Sequence, residues 1–359
     1  MKFLDKRGDK NMQMTFRWYG NSDKVTLEQI KQIPGLTGIV SAIYDVQVGE
    51  VWSMEKIIAL KETIEAKGLK LEVIESVPVH EDIKLGLKSR DKYIANYCET
   101  LRNLSKVGIK VVCYNFMPVF DWTRSELAHQ LEDGSNALIY KQETVLKMDP
   151  VLGELSLPGW DTSYTKEGMK ELLDQYKSVT EEDLWNNLKY FLQHVIAVAD
   201  EVDIKMAIHP DDPPWSIFGL PRIITNQENL ERLINLVDSP NNGITLCTGS
   251  LGVNPINNIP EIIRYFGKKG RIHFGHCRNV KITGEKCFEE SSHKSSDGSL
   301  DMVEIMKAFY EVGFNGPIRP DHGRMIWGET GRPGYGLYDR ALGSMYLNGI
   351  WETLEKTNK

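Results

Sequence analysis

The stretch IKMAIHPDDPP, residues 204–214, decides the fold prediction because it joins an apolar run to a histidine and a stiff turn. A short, continuous run of Ile, Met and Ala is typical of a parallel strand that is buried on both faces. The prolines at positions 210, 213 and 214 fix φ in the turn beyond the histidine. We therefore predict a buried strand at Ile204–Pro210 that holds His209 in place at its carboxyl end.

Runs of the same kind occur eight times and alternate with helical patterns. The predicted strands are Thr15–Tyr19, Thr37–Ile43, Leu69–Ser76, Ile109–Phe116, Ile204–Pro210, Gly243–Thr248, Arg271–Cys277 and Gly316–Pro320. Clear helical patterns cover Ser53–Lys67, Asp183–Val202 and Leu300–Val312. Eight βα units predict an α/β fold, a (β/α)8 TIM barrel. A doubly wound open sheet is the alternative, but the chain lacks a glycine-rich nucleotide-binding motif.

The domain organisation follows from this pattern. We predict a loose, charged tail over residues 1–14 and one catalytic barrel domain over residues 15–359. Residues from about 121 to 180 separate the fourth strand from its helix and form a long insertion. Long insertions after barrel strands usually lie over the catalytic face, so we expect this one to cover the site.

Composition argues against several classes of protein. The net charge is −7, and no basic cluster of the kind that binds phosphate backbones is present, so we expect no nucleic-acid partner. No apolar run is long enough to span a membrane, and the N-terminus lacks an apolar signal segment. The five cysteines are odd in number, which argues against a disulfide framework. We expect a cytoplasmic protein that does not bind membranes.

The last four predicted strands end in possible metal ligands. Their segments read IKMAIHP, ITLCTG, IHFGHCRN and PIRPDHG, which place His209, Cys247, His276 and Asp321 at strand ends. The separations of 38, 29 and 45 residues are each about one βα unit. One such histidine or cysteine alone is more often a structural residue, but the four together share one rim of a barrel. We therefore predict a metal site there, and its thiolate disfavours Mg²⁺ and Ca²⁺.

The sequence resembles the mannonate dehydratase family over nearly its whole length. The matching segments are TFRWYG, GEVWS, ESVPVHEDIK, YNFMPVFDWTR, MAIHPDDPP, GLPRI, CTGSLGV, RPDHG and PGYG. The resemblance implies a xylose isomerase-like barrel and a lyase of hexuronate breakdown that converts D-mannonate to 2-dehydro-3-deoxy-D-gluconate and water. It also implies one Mn²⁺ or Fe²⁺ per chain, a homodimer, and the same four ligands that the strand ends suggest.

Such a dehydration needs a base for the C2 proton and an acid for the departing C3 hydroxyl. His322, which directly follows Asp321, and Tyr335, in the PGYG segment, are the candidates, and the sequence does not assign the two roles. Arg278 and Arg17 are candidates for binding the substrate carboxylate, because a guanidinium can donate two parallel hydrogen bonds.

Other polar residues near strand ends are candidates for contacts with the sugar hydroxyls, although each could be an ordinary rim residue. They are Trp18, Tyr19, His80, Asn115 and Asp211 or its neighbour Asp212. A metal-dependent sugar isomerase or epimerase on the same barrel is the main alternative function. A metal-dependent endonuclease and a non-catalytic sugar-acid or metal-binding protein are further alternatives.

Overall fold

A computed structural model describes residues 12–151 and 165–357. Eight parallel strands form its centre: β1 (Gln13–Arg17), β2 (Gly38–Ser41), β3 (Lys70–Glu75), β4 (Val111–Tyr114), β7 (Lys205–Ile208), β8 (Asn242–Cys247), β9 (Ile272–His276) and β12 (Pro317–Arg319). They close into a barrel in the order β1-β12-β9-β8-β7-β4-β3-β2. The TIM barrel is therefore confirmed, and the open sheet is excluded.

Helices lie between the strands and surround the barrel. They are α1 (Leu27–Lys31), α2 (Met54–Glu65), α3 (Glu81–Lys84), α4 (Arg90–Lys106), α5 (Gln142–Val145), α6 (Lys166–Tyr176), α7 (Glu181–Val202), α8 (Gln227–Leu236), α9 (Thr248–Gly252), α10 (Ile259–Lys268), α11 (Met302–Glu311) and α12 (Tyr338–Thr357). The three helices predicted from sequence correspond to α2, α7 and α11. Across both described ranges, no helix combines the length and apolar character that crossing a membrane would require.

A second, antiparallel sheet lies outside the barrel. It consists of β5 (Glu126–Gln130), β6 (Asn136–Lys141), β10 (Val280–Gly284) and β11 (Cys287–Glu290), in the order β10-β11-β6-β5. We call it the lid sheet, because Asn136 pairs with Met325 in the loop that follows β12. The insertion after the fourth barrel strand supplies β5 and β6, two strands that the sequence analysis did not identify. The hairpin of β10 and β11, inserted after β9, was not predicted.

The start of the barrel differs from the sequence prediction. β1 begins at Gln13, so Gln13 and Met14 belong to a barrel strand rather than to the predicted tail of residues 1–14. Burial explains the difference, because the Met14 side chain packs in the core with 2% exposure. Residues 1–11 of the predicted tail and residues 152–164 of the predicted insertion lie outside the described residues.

The barrel interior is filled below the site. Val40, Val73, Val111, Ala207 and Phe274 form a buried apolar cluster on five of the eight barrel strands. A larger apolar core fills the space between the strands and the surrounding helices. Because the interior is closely packed, it gives rigid support to the polar side chains at the carboxyl ends of the strands.

Candidate active site

A cavity of about 280 Å³ opens at the carboxyl ends of the barrel strands. Charged side chains dominate its wall: Arg17, Glu75, Asp121, Asp212, Arg319, Asp321 and Arg332. His209, His322 and four tyrosines also line it. A wall of this kind suits a small, charged ligand with many hydroxyl groups, since each polar group can make a directional hydrogen bond.

The predicted metal ligands lie together at one side of this cavity. The ligand atoms of His209, Cys247 and His276 lie within 4.8 Å of one another. Asp321 lies beside this group, with Oδ2 3.4 Å from Sγ of Cys247 and Oδ1 3.7 Å from Nδ1 of His276. Strands β7, β8, β9 and β12 thus bring four residues from distant parts of the chain to one small volume.

Local hydrogen bonds prepare these side chains for a cation. Nδ1 of His209 lies 2.7 Å from the carbonyl oxygen of Pro210, so it carries the proton and leaves Nε2 free to coordinate. Sγ of Cys247 accepts hydrogen bonds from the backbone N–H and the hydroxyl of Ser250 at 3.4 and 3.0 Å. Two imidazoles, a sulfur and a carboxylate are a donor set that fits a divalent transition metal.

The predicted acid and base form a hydrogen-bonded pair on the cavity wall. Nε2 of His322 lies 2.8 Å from the hydroxyl of Tyr335, and both residues line the cavity. On the other side of the imidazole, Nδ1 lies 3.2 Å from Oε1 of Glu290. Burial lowers the pKa of His322 and raises the pKa of Tyr335 well above its usual value. Both groups are therefore neutral near pH 7.

Three residues of the barrel strands form what we call the inner ion cluster. Glu75 accepts two hydrogen bonds from Arg319, at 3.0 and 2.9 Å, and forms a 3.0 Å ion pair with Arg17. Burial opposes ionisation of Glu75, but the neighbouring Arg319, His276 and Arg17 hold its pKa well below the usual range. The arginines of this cluster are therefore already paired with a carboxylate.

Four other buried charges form a closed circuit that we call the outer ion ring. Arg124 donates to both oxygens of Asp212, at 2.7 and 3.1 Å, and to Glu290 at 2.9 Å. Arg278 donates to Asp212 at 2.7 Å and to Glu290. Each guanidinium thus contacts both carboxylates, and the side chains are at most 2% exposed.

The sequence matches the D-mannonate dehydratase (UxuA) family over residues 12–359. The chain belongs to the D-mannonate dehydratase family. It is 66% identical over 343 residues to mannonate dehydratase 2 of Halalkalibacterium halodurans, which covers 96% of this chain and 99% of that protein. It is 60% identical over 358 residues to the mannonate dehydratase of Thermotoga maritima, covering 97% and 99% of the two chains.

Solved structures agree with the family assignment. The crystal structure of mannonate dehydratase from Streptococcus suis serotype 2 matches with a TM-score of 0.91 and 50% identity, over 97% of both chains. A structure of L-ribulose 3-epimerase matches with a TM-score of 0.54 at 14% identity, over 97% of this chain and 99% of that chain. The second match shows a shared fold and nothing about the reaction.

Four residues that the sequence analysis predicted to contact the substrate do not line the cavity. Trp18 packs in the core, because alternation along β1 directs its neighbours Arg17 and Tyr19 toward the cavity instead. His80 caps α3 and stacks on the ring of Tyr93 with centroids 3.7 Å apart.

The other two lie behind the wall. The carboxylate of Asp211 accepts a hydrogen bond from the backbone N–H of Ile224 at 2.8 Å and does not line the cavity. The guanidinium of Arg278 is occupied by the outer ion ring and by Asp321, 2.8 Å from its Nε. Arg278 therefore cannot also bind a substrate carboxylate, and this part of the sequence prediction is corrected. Asn115, by contrast, lies on the cavity wall.

Sequence reasoning missed several wall residues. Glu75 and Arg319 stand at the ends of β3 and β12, so the rule that found the metal ligands could have found them. Trp122 and Arg332 lie in loops, where no strand pattern marks their direction. Glu290 lies in the unpredicted β11, and no local signal links it to His322, 32 residues away.

Proposed function

We propose that this chain removes water from D-mannonate and forms 2-dehydro-3-deoxy-D-gluconate. The observation that carries this proposal is the His322–Tyr335 pair on the cavity wall, with 2.8 Å between Nε2 and the hydroxyl. The pair lies beside a compact group of residues that can coordinate a metal. Membership of the D-mannonate dehydratase family names the substrate. The isomerase alternative is not favoured, because relatives at 60–66% identity are named mannonate dehydratases.

We propose further that His209, Cys247, His276 and Asp321 hold one Mn²⁺ or Fe²⁺ per chain. The thiolate favours Fe²⁺, and Mn²⁺ tolerates such a mixed set of ligands. When bound, this cation would supply Lewis-acid stabilisation of the negative charge that develops next to the substrate carboxylate. Cys247 would also make the enzyme sensitive to oxidation.

The chain's own residues supply the proton transfers. Because Nδ1 of His322 faces a carboxylate, Nε2 is the nitrogen free to accept the C2 proton. The neutral hydroxyl of Tyr335 would protonate the departing C3 hydroxyl, which leaves as water. The short hydrogen bond between the two side chains then lets the proton on His322 return to Tyr335. The enol product becomes the 2-keto acid by tautomerisation.

The substrate carboxylate needs a cation that is not already paired. Arg332 lines the cavity, and within the two described ranges it forms no ion pair with a carboxylate. Its guanidinium carbon lies 4.1 Å from the centroid of the Tyr19 ring, which packs edge-on against Tyr335 with centroids 4.9 Å apart. We propose that Arg332, rather than Arg278, binds the anionic end of the substrate.

We also propose an oligomeric state and a cellular location for the enzyme. We propose a homodimer, supported by an exposed apolar stripe of Tyr338, Leu342 and Met345 on α12, beside Trp327 at 73% exposure. We propose that it works in the cytoplasm in hexuronate breakdown, where its five free cysteines stay reduced. Measuring the mass of the protein and of a Leu342→Glu variant in solution tests the dimer.

One assay tests the reaction. Protein purified without oxygen is incubated with D-mannonate and Mn²⁺, and a 2-keto acid is measured over time. We expect stoichiometric conversion to 2-dehydro-3-deoxy-D-gluconate. Absence of this product, together with aldose–ketose interconversion in a parallel assay that offers an aldose sugar, would favour the isomerase alternative.

A further inference from the structure

We propose that Glu290, a residue of the lid sheet, is a positioning residue for His322. It would hold the imidazole in the tautomer that carries its proton on Nδ1, so that Nε2 faces Tyr335 and the substrate. The proposal rests on the proposed function, in which His322 accepts the C2 proton. It adds that a residue of the lid sheet sets the tautomer of the catalytic histidine.

The contacts of Glu290 support this role. Glu290 is completely buried at the end of β11, and its Oε1 receives hydrogen bonds from Arg124 at 2.9 Å and from Arg278. Nδ1 of His322 approaches the same oxygen at 3.2 Å. Among the described residues within hydrogen-bond distance of Nδ1, Glu290 offers an acceptor and Arg278, at 2.9 Å, offers a donor.

The donor and the acceptor favour opposite tautomers. A guanidinium has no acceptor atom, so Arg278 can only donate to an unprotonated Nδ1. That tautomer would place the proton on Nε2 and take away the base that faces the cavity. Both contacts would be charge-assisted, but Arg278 already donates to Asp212 and Glu290, whereas a proton on Nδ1 has Glu290 as its acceptor. It also leaves Nε2 to accept from the hydroxyl of Tyr335.

The outer ion ring explains why Glu290 stays ionised in a buried place. Burial opposes its charge, but Arg278, the hydrogen bond to His322 and Arg124 lower its pKa to about 2. Two guanidinium groups and two carboxylates balance within the ring. Both insertions supply members of it, since Arg124 precedes β5 and Glu290 ends β11. The same contacts therefore attach the lid sheet to the barrel rim and orient the imidazole of His322.

The first test compares two glutamates on the same strand. Glu290→Gln keeps the shape but removes the charge, and we expect kcat to fall at least ~10-fold while KM changes by less than about threefold. Glu289→Gln is the matched control, because Glu289 pairs with Lys281 at 3.3 Å outside the ring. The control should keep the wild-type kcat. An unchanged kcat in Glu290→Gln would overturn the proposal.

A double variant separates positioning from charge balance. Glu290→Gln combined with Arg124→Met makes the remaining ring neutral again but does not restore the carboxylate at His322. If Glu290 only balances charge, the double variant regains kcat, and the proposal fails. If it positions His322, kcat stays low. Glu290→Asp, which keeps the charge on a shorter side chain, should recover part of the lost kcat.

An NMR experiment on the wild-type protein tests the proposal even if the Glu290 variants fold poorly, and it does not depend on turnover. Wild-type protein labelled with ¹⁵N-histidine reports by NMR which nitrogen of His322 is protonated, with His322→Gln used to assign the signal. We expect a proton on Nδ1, and a proton on Nε2 would overturn the proposal. If wild-type enzyme does not convert D-mannonate, the proposed function fails, whereas the tautomer still decides the role of Glu290.

Discussion

The inner ion cluster and the outer ion ring are both built from arginines and carboxylates in contact, yet they stand in different surroundings. All three members of the inner cluster line the cavity, whereas only Asp212 of the outer ring does so. The inner members come from barrel strands, and the outer ring joins two insertions to the rim. Asp321 touches both, with Arg319 and Arg278 each 2.8 Å from one of its oxygens.

This difference separates two uses of buried charge. A guanidinium that borders a cavity can rearrange its hydrogen bonds when a charged ligand enters, so the inner cluster can take part in recognition. A ring that is closed on itself and away from water gains little net stability, but removing one member leaves an uncompensated charge. The outer ring is therefore suited to holding other groups still. The predictions below test this division.

The largest effect on turnover should follow a change at Asp321, where the inner ion cluster and the outer ion ring meet. Asp321→Asn removes the carboxylate that contacts Arg319, Arg278 and the metal-type ligands. We expect turnover of D-mannonate to fall about 1000-fold or more, because cation binding and charge stabilisation are lost together. Bound metal, measured by elemental analysis, should fall in parallel. Full metal content with near wild-type turnover would show that Asp321 is not a ligand.

A stability effect should distinguish the outer ring from surface ion pairs. Arg124→Met leaves Asp212 and Glu290 with one arginine between them, and we expect the free energy of unfolding to drop by about 3–5 kcal/mol. Denaturant titration measures it. Arg102→Met is the control, since Arg102 pairs with Glu201 at the surface and should change stability little. Equal losses of unfolding free energy in both variants would show that the outer ion ring is no more important for stability than a surface ion pair.

Removing the hydroxyl of Tyr335 should affect the chemical step more than binding. Tyr335→Phe deletes the proton donor next to His322, and we expect kcat to fall roughly 100-fold. KM should stay within a few-fold of wild type. Steady-state kinetics with D-mannonate measures both. If turnover stays near wild type, the tyrosine is neither acid nor base.

The smallest of these effects concerns Arg332 on the cavity wall. Arg332→Met should raise KM for D-mannonate about 10-fold with little change in kcat, since one charge-assisted contact is lost at a partly solvated site. Calorimetry with D-mannitol, which lacks the carboxylate, supplies the control, and its affinity should be unchanged. If KM of the variant matches wild type, the carboxylate is bound elsewhere.

The sequence predicted the barrel and the metal-type group well, for a physical reason. Parallel strands of a closed barrel end at one rim, so a residue such as His209 or Cys247 needs no further information to be placed there. Alternation along a strand is less certain near its end, which is why the sequence did not show that Trp18 packs in the core while Tyr19 lines the cavity. Of Asp211 and Asp212, which the sequence left as alternatives in the turn after β7, Asp212 lines the cavity and Asp211 lies behind it.

Long-range contacts were beyond sequence reasoning. Arg278 has the right charge to bind a carboxylate, but its partners in the outer ring come from β11 and from the turn after β7. Glu290 became visible as a partner of His322 only when the lid sheet placed it there. Such pairings depend on how insertions pack, and no periodic pattern in the chain encodes that packing.

The most direct test of the account is X-ray absorption at the Mn edge of protein loaded with one Mn²⁺ per chain. The account predicts a coordination shell with one sulfur and two imidazoles, and loss of the sulfur in Cys247→Ser. A shell made only of oxygen ligands in the wild-type protein would contradict it, because the four strand ends would then not share the ion.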